Sequence, residues 1–210
     1  MSRARCFVTV VSGIPRSGTS LVMQMLAAGG MPLLTDAARP PDPDNPRGYF
    51  EYAAVKGIAR DAGFVALAVG RALKVVAPLV RHLPATLAYR VLLVERRMDE
   101  VLASQERMLV RRGAVEPDAI APERLAEIYA AQLAEARAWI AATPGAEALG
   151  VAHGELLRDP AGLAAAFAAF LGGGLDLAAM RAAVDPALHR QRSGRSAEWT
   201  SPPQSPIVRR

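Results

Sequence analysis

The sequence predicts an α/β fold, a three-layer αβα domain around a central parallel sheet. Two observations predict it. Strand-length apolar runs alternate with segments of helical period, the order that builds parallel sheets from crossover units. The first run, FVTVV (7–11), passes through a glycine-spaced turn, SGIPRSGTS (12–20), straight into a helix. At 210 residues the chain suits one domain with a substantial core better than two. Residues 1–187 are expected to form that domain and 188–210 a C-terminal tail.

Taken in order, FVTVV is a continuous apolar run, as a strand buried on both faces requires. Ser17 to Ala28 follows as a helix that Gly29 and Gly30 stop. From Ala37 to Gly48 the chain is rich in proline, aspartate and arginine, which predicts a surface loop. GYFEYAAVKGIARD begins another helix near Glu51. ALKVVA (72–77) is the second strand and YRVLLVE (89–95) the third. Asp99 is placed to cap a helix running to about Arg111, with Val101, Leu102, Met108 and Leu109 on or near its buried side. Leu125, Ile128, Leu133, Ala136 and Ile140 mark a long amphipathic helix. EALGVAH (147–153) is the fourth strand. Asp159-Pro160 has the pairing of N-cap and first-turn proline, opening AGLAAAFAAFLGGG, whose glycines end that helix. Beyond Pro186 the sequence turns polar and Pro/Ser-rich, which predicts an irregular tail.

Composition narrows the classes of function. Apolar residues make up 51% and charged residues 21%, ordinary for a globular protein. The least polar stretch outside the first strand, FVALAVG (64–70), is cut off by Arg71 and Lys74, far short of a bilayer span. One cysteine, Cys6, excludes an intramolecular disulfide and makes the cytoplasm the default compartment; it reads as a small apolar residue in or beside the first strand. The net charge is +5, and arginine supplies all the basic side chains except Lys56 and Lys74. No basic run and few aromatics are present, so nucleic acid is not the expected partner. A phosphorylated or sulfated small molecule fits the charge. The three histidines, His82, His153 and His189, show no metal-ligand spacing.

The turn at 12–20 carries the chemistry. A strand, a tight glycine turn and a helix N-terminus form an anion site, because free N–H groups and the helix dipole point at the ligand. Gly13 and Gly18, with four residues between them, let the backbone approach phosphate oxygens closely. Ser17, Thr19 and Ser20 add hydroxyl donors, and Arg16 a permanent charge. A plain strand-to-helix turn with Ser or Thr as an ordinary N-cap is the competing reading. Thr19 stands where a nucleoside-triphosphate loop needs lysine, which counts against that class. Glu95 could imitate the acidic strand end that organises Mg²⁺, but Arg96 and Arg97 beside it suit anion binding better than metal binding.

P-R-S-G-T-S after a buried strand resembles the 5′-phosphosulfate loop of sulfotransferases that use 3′-phosphoadenosine 5′-phosphosulfate (PAPS). A second motif of that family also has a counterpart here. The family places an arginine at the end of a later strand and a serine eight residues on, which together hold the donor's 3′-phosphate. In RVLLVERRMDEVLASQ these are Arg96 and Ser104, and guanidinium suits phosphate through paired hydrogen bonds. Arg97 competes one residue out of register, and Met98 replaces a frequent proline. HGELLRDPAGLAAAFAAFLGG is similar to the family's "Y-E-D-L…D-P…F-L-G" segment, with His153 in place of tyrosine and assigned to packing or turn chemistry. RSGRSAEW (192–199) loosely follows the loop that folds over the 3′-phosphate, matching at Arg192, Gly194 and Trp199. DNPRGYFE and RRMDEVLASQ resemble bacterial sulfotransferase-like proteins more than animal cytosolic enzymes. The resemblance implies a P-loop-kinase-like fold.

The resemblance also implies sulfuryl transfer from PAPS to a hydroxyl or amine of a small-molecule, lipid or glycan acceptor, with no metal required. Arg16, where many relatives carry lysine, stabilises charge but is a poor proton donor. Glu51 is the expected base, by likeness to carbohydrate and peptide sulfotransferases, and His82 the alternative. Lys74 is a candidate contact for an anionic acceptor. A small-molecule or nucleotide kinase and a non-catalytic nucleotide-binding protein are the competing functions.

Overall fold

The computed structural model describes residues 5–36, 42, 45, 47–111, 113 and 120–184. The expected tail at 188–210, with Arg192, Gly194 and Trp199, lies outside the described residues, as does most of 37–46.

Four strands form the sheet: β1 (Val8–Gly13), β2 (Ala72–Val76), β3 (Tyr89–Glu95) and β4 (Ala146–Ala152). They lie in the order β2-β1-β3-β4 and every pairing is parallel. Among the described residues six helices surround them: α1 (Thr19–Ala28), α2 (Met98–Arg111), α3 (Pro122–Ala142), α4 (His153–Arg158), α5 (Pro160–Phe170) and α6 (Leu177–Ala182). The expected three-layer α/β architecture is present.

Successive strand side chains point to opposite faces, so the apolar runs fill two cores at once. Val8, Val10, Leu73, Val75, Val91 and Leu93 face α3 and three short 3₁₀ turns, Ala53–Gly57, Gly63–Ala68 and Ala77–His82. Val11, Leu92, Val94 and Val151 face the opposite way, against Met23 and Leu26 of α1, Leu156 of α4, Phe167 of α5 and Met180 of α6. The strand order reverses at β1, which has β2 on one side and β3 on the other. In open α/β sheets the crevice at the carboxyl ends of strands flanking such a reversal is where ligands bind.

Two local expectations change. No helix begins at Glu51, because Gly48 (φ 94°) and Phe50 (φ 53°) turn the backbone left-handed just before it. The first regular turn there is the 3₁₀ segment from Ala53, whose N–H donates to Asp36 Oδ2 at 2.6 Å. Asp99 is not a cap: α2 already begins at Met98, and Asp99 accepts two hydrogen bonds from Arg97, at 3.1 and 2.8 Å. Cys6 lies beside β1, within the placement expected, and is exposed there. Asp159 caps α5 as expected, accepting from Gly162 N–H at 2.9 Å. Among the described residues no helix is long and apolar enough to cross a membrane.

Candidate functional site

The turn after β1 runs from the strand's last residue, Gly13, to the start of α1 at Thr19. Two observations explain why it folds as it does. A Cβ on Gly13 would stand 2.5 Å from the Val94 carbonyl oxygen and 2.5 Å from Ser17 Oγ. Only glycine lets β3 and the loop close around this point. Gly18 is left-handed at φ 106°, and a Cβ there would meet His153 Cδ2 at 2.5 Å. His153, the first residue of α4 and 9% exposed, thus packs against the loop. That accords with a packing role for this histidine.

Gly18, not Ser17 or Thr19, occupies the N-cap position of α1, and no side chain caps the helix. A helix start leaves its first N–H groups without intrahelical partners. Beside them the hydroxyls of Ser17 and Ser12 are buried and make no hydrogen bond among the described residues. Buried hydroxyls without a partner are uncommon, and here Ser17 lies within, and Ser12 just before, a turn whose backbone donors and dipole favour an anion. The arrangement departs from the ordinary Ser/Thr cap. Arg16 lies in the same turn at φ 67°, a left-handed conformation that a non-glycine residue seldom adopts.

The motif at the end of β3 meets this loop. Arg16 Nε donates to Ser104 Oγ at 3.0 Å, although the two are 88 residues apart. Arg96 Nη1 donates to the Arg16 carbonyl at 3.3 Å. Arg96 also pairs through Nε with Glu100 Oε2 at 2.8 Å, and both side chains are largely buried. Ser104 is buried on α2. Topology makes this possible: β1 and β3 are hydrogen-bonded neighbours, so the segments leaving their carboxyl ends emerge side by side. Arg97, the competitor in register, is half turned to solvent and is held by Asp99. Burial pushes the Asp99 carboxyl up, but the hydrogen bonds and charge of Arg97 prevail and hold it below the usual carboxylate range.

A third group arrives from β2. Lys74 is 9% exposed, and its Nζ donates to Ser20 Oγ at 3.2 Å and to the Tyr49 carbonyl at 2.9 Å. It stands 3.9 Å from Glu51 Oε1. Asn45 Nδ2 donates to the same Ser20 oxygen at 2.8 Å. Ser20, Lys74, Asn45 and Glu51 therefore form one polar cluster beside the loop. A lysine from the neighbouring strand β2 thus stands beside the loop. Sequence reasoning had Lys74 only as a contact for an acceptor; its signal was a lysine within an apolar strand of a lysine-poor chain. Asn45 was not singled out, because nothing local marks a loop asparagine as reaching α1.

His82 is set differently. It ends the 3₁₀ turn after β2, and its Nε2 accepts from Arg81 at 3.3 Å, while Arg81 reaches Glu135 on α3. Of the two candidate bases, Glu51 is the one that lies in the loop cluster, beside Lys74. No cluster of His, Cys, Asp and Glu among the described residues could hold a metal ion.

No family model matches the chain, and no curated protein gives a significant match. Solved structures do. The sulfotransferase domain from the Synechococcus PCC 7002 olefin synthase matches with a TM-score of 0.51 at 17% identity, over 95% of this chain and 94% of that one. A sulfotransferase from Alicyclobacillus acidocaldarius gives a TM-score of 0.48 at 16% identity over 82% of each chain. The sulfotransferase domain from the curacin biosynthetic pathway gives 0.48 at 15% identity, over 80% of this chain and 74% of that one. By its sheet order, its layers and the first of these matches, the chain has the fold of sulfotransferase domains.

Proposed function

We propose that the protein transfers a sulfuryl group from PAPS to a hydroxyl or amine of an acceptor. The observation that carries this reading is the meeting of two anion-binding segments, the loop at Arg16 and the Arg96–Ser104 pair, through contacts of 3.0 and 3.3 Å. A donor with phosphate at both its 5′ and 3′ positions needs two such places at one crevice. A nucleoside triphosphate needs only one, running along its chain.

In this reading the loop N–H groups, with Ser17, Thr19 and Ser20, cradle the 5′-phosphosulfate, and Gly18 gives them room. Arg96 and Ser104 take the 3′-phosphate, and Arg16 bridges the two. The acceptor oxygen attacks sulfur in line. As its bond to sulfur forms, the bond from sulfur to the 5′-phosphate oxygen breaks, and that oxygen leaves with the electron pair. The acceptor's proton passes to Glu51. Lys74, between Glu51 and Ser20, stabilises charge on the transferred group. Such catalysis rests on positioning and on fixed donors aimed at developing charge.

Calorimetric titration with 3′-phosphoadenosine 5′-phosphate and, separately, with Mg²⁺-ATP tests this reading. The bisphosphate nucleotide is expected to bind without metal, and to bind more tightly than Mg²⁺-ATP. Binding of Mg²⁺-ATP with none of the bisphosphate would overturn it in favour of a kinase. A non-catalytic binding protein would bind the bisphosphate yet show no PAPS turnover with any acceptor, and Glu51→Gln would change nothing.

A further inference from the structure

We infer that Asn45 is a positioning residue that sets the polarity of the Ser20 hydroxyl, and through it makes the loop select a bare anion over a metal-bound one. This inference rests on the proposed anion-binding role of the loop. A serine hydroxyl has two lone pairs to accept with and one proton to donate. At Ser20 both acceptor places are taken, by Asn45 Nδ2 at 2.8 Å and by Lys74 Nζ at 3.2 Å. What remains is the O–H proton, which therefore points outward as a donor. Donation strengthens when the oxygen itself accepts from a cation, because hydrogen bonds in a chain polarise one another.

The same arrangement works against a divalent cation. A serine can ligate Mg²⁺ only through an oxygen lone pair, and the serine or threonine after the lysine of a triphosphate loop does so. Here a ligand ion would have to displace Asn45 and would sit beside the Lys74 ammonium, whose like charge repels it. Lys74 alone would leave one lone pair open; Asn45 closes the other. The asparagine's amide, a donor that cannot itself attract cations as a carboxylate would, is what the position requires.

Inorganic pyrophosphate is the probe, titrated calorimetrically into the full chain in the presence of EDTA and again in excess Mg²⁺. The wild-type protein is expected to bind free pyrophosphate, and Mg²⁺ is expected not to improve the affinity. Asn45→Asp, which accepts from Ser20 instead of donating, should weaken binding in EDTA by roughly tenfold or more, with part of the loss recovered in Mg²⁺. Asn45→Ala should weaken binding severalfold with no recovery in Mg²⁺, and it carries the test should the aspartate variant not fold. Unchanged affinity in both variants, a wild-type requirement for Mg²⁺, or no pyrophosphate binding by the wild type would each overturn the inference. Failure of the sulfuryl-transfer reading looks different: pyrophosphate behaves as stated in all three proteins, and 3′-phosphoadenosine 5′-phosphate binds no better than pyrophosphate.

Discussion

At the scale of single residues, the turn after β1 depends on what its side chains lack as much as on what they carry. Gly18 has a left-handed backbone and the His153 ring pressed against the position of a Cβ. Gly18→Ala therefore combines a strained φ, costing about 1–2 kcal/mol, with a clash that only movement of α4 or the loop relieves. The expected outcome is a lower melting temperature together with loss of anion binding; an unchanged melt would show that the loop refits freely. Glu51→Gln keeps the shape of the side chain and removes its ability to take a proton. It should lower PAPS-dependent transfer by roughly 10²–10⁴-fold while leaving binding of 3′-phosphoadenosine 5′-phosphate intact. Transfer at the normal rate would remove Glu51 from the mechanism. Both residues stood out in the sequence. Glycine spacing after a buried strand has a mechanical meaning, whereas the partner of Glu51 did not show, since Lys74 lies 23 positions away and only the sheet brings them together.

At the scale of elements, signals confined to a few neighbouring residues were read well. YRVLLVE became β3 with the expected bounds, because a run of buried apolar residues leaves no alternative to a central strand. Asp159-Pro160 became a capped helix start. Asp159→Ala should therefore cost about 1 kcal/mol and lower the melting temperature by a few degrees, as read by thermal denaturation. No change would mean that α5 is held by Phe167 and its neighbours alone. Asp99 looked like an equivalent cap and is not one. The helix begins one residue earlier, at Met98, so Asp99 lies inside its first turn, where Arg97 supplies two charged donors to the carboxylate. The helix expected from Glu51 also failed, since left-handed Phe50 is invisible to hydrophobic period. α6 was missed for a simpler reason. It is short, its apolar stripe is little more than Met180, and the cap at Asp176 follows three glycines that had read as an end.

At the scale of the whole molecule, the sheet order is what turns scattered motifs into one site. β1 lies between β2 and β3, so Arg16, Lys74 and Arg96 leave three adjacent strands or their loops within one crevice. That convergence was predicted for Arg96 and Ser104 by resemblance. Its extension to Lys74 and Asn45 was beyond reach of spacing arguments, because it depends on the parallel register that sets Val11 against Lys74. The central claim is that two phosphate sites act on one nucleotide. Its most direct test is the affinity for 3′-phosphoadenosine 5′-phosphate relative to adenosine 5′-phosphate, measured by calorimetry in the wild type and in Arg96→Ala. The wild type is expected to prefer the bisphosphate by about tenfold or more, and Arg96→Ala to erase most of this preference while binding adenosine 5′-phosphate much as before. Equal affinity of the wild type for the two nucleotides, or a preference that survives in Arg96→Ala, would contradict it.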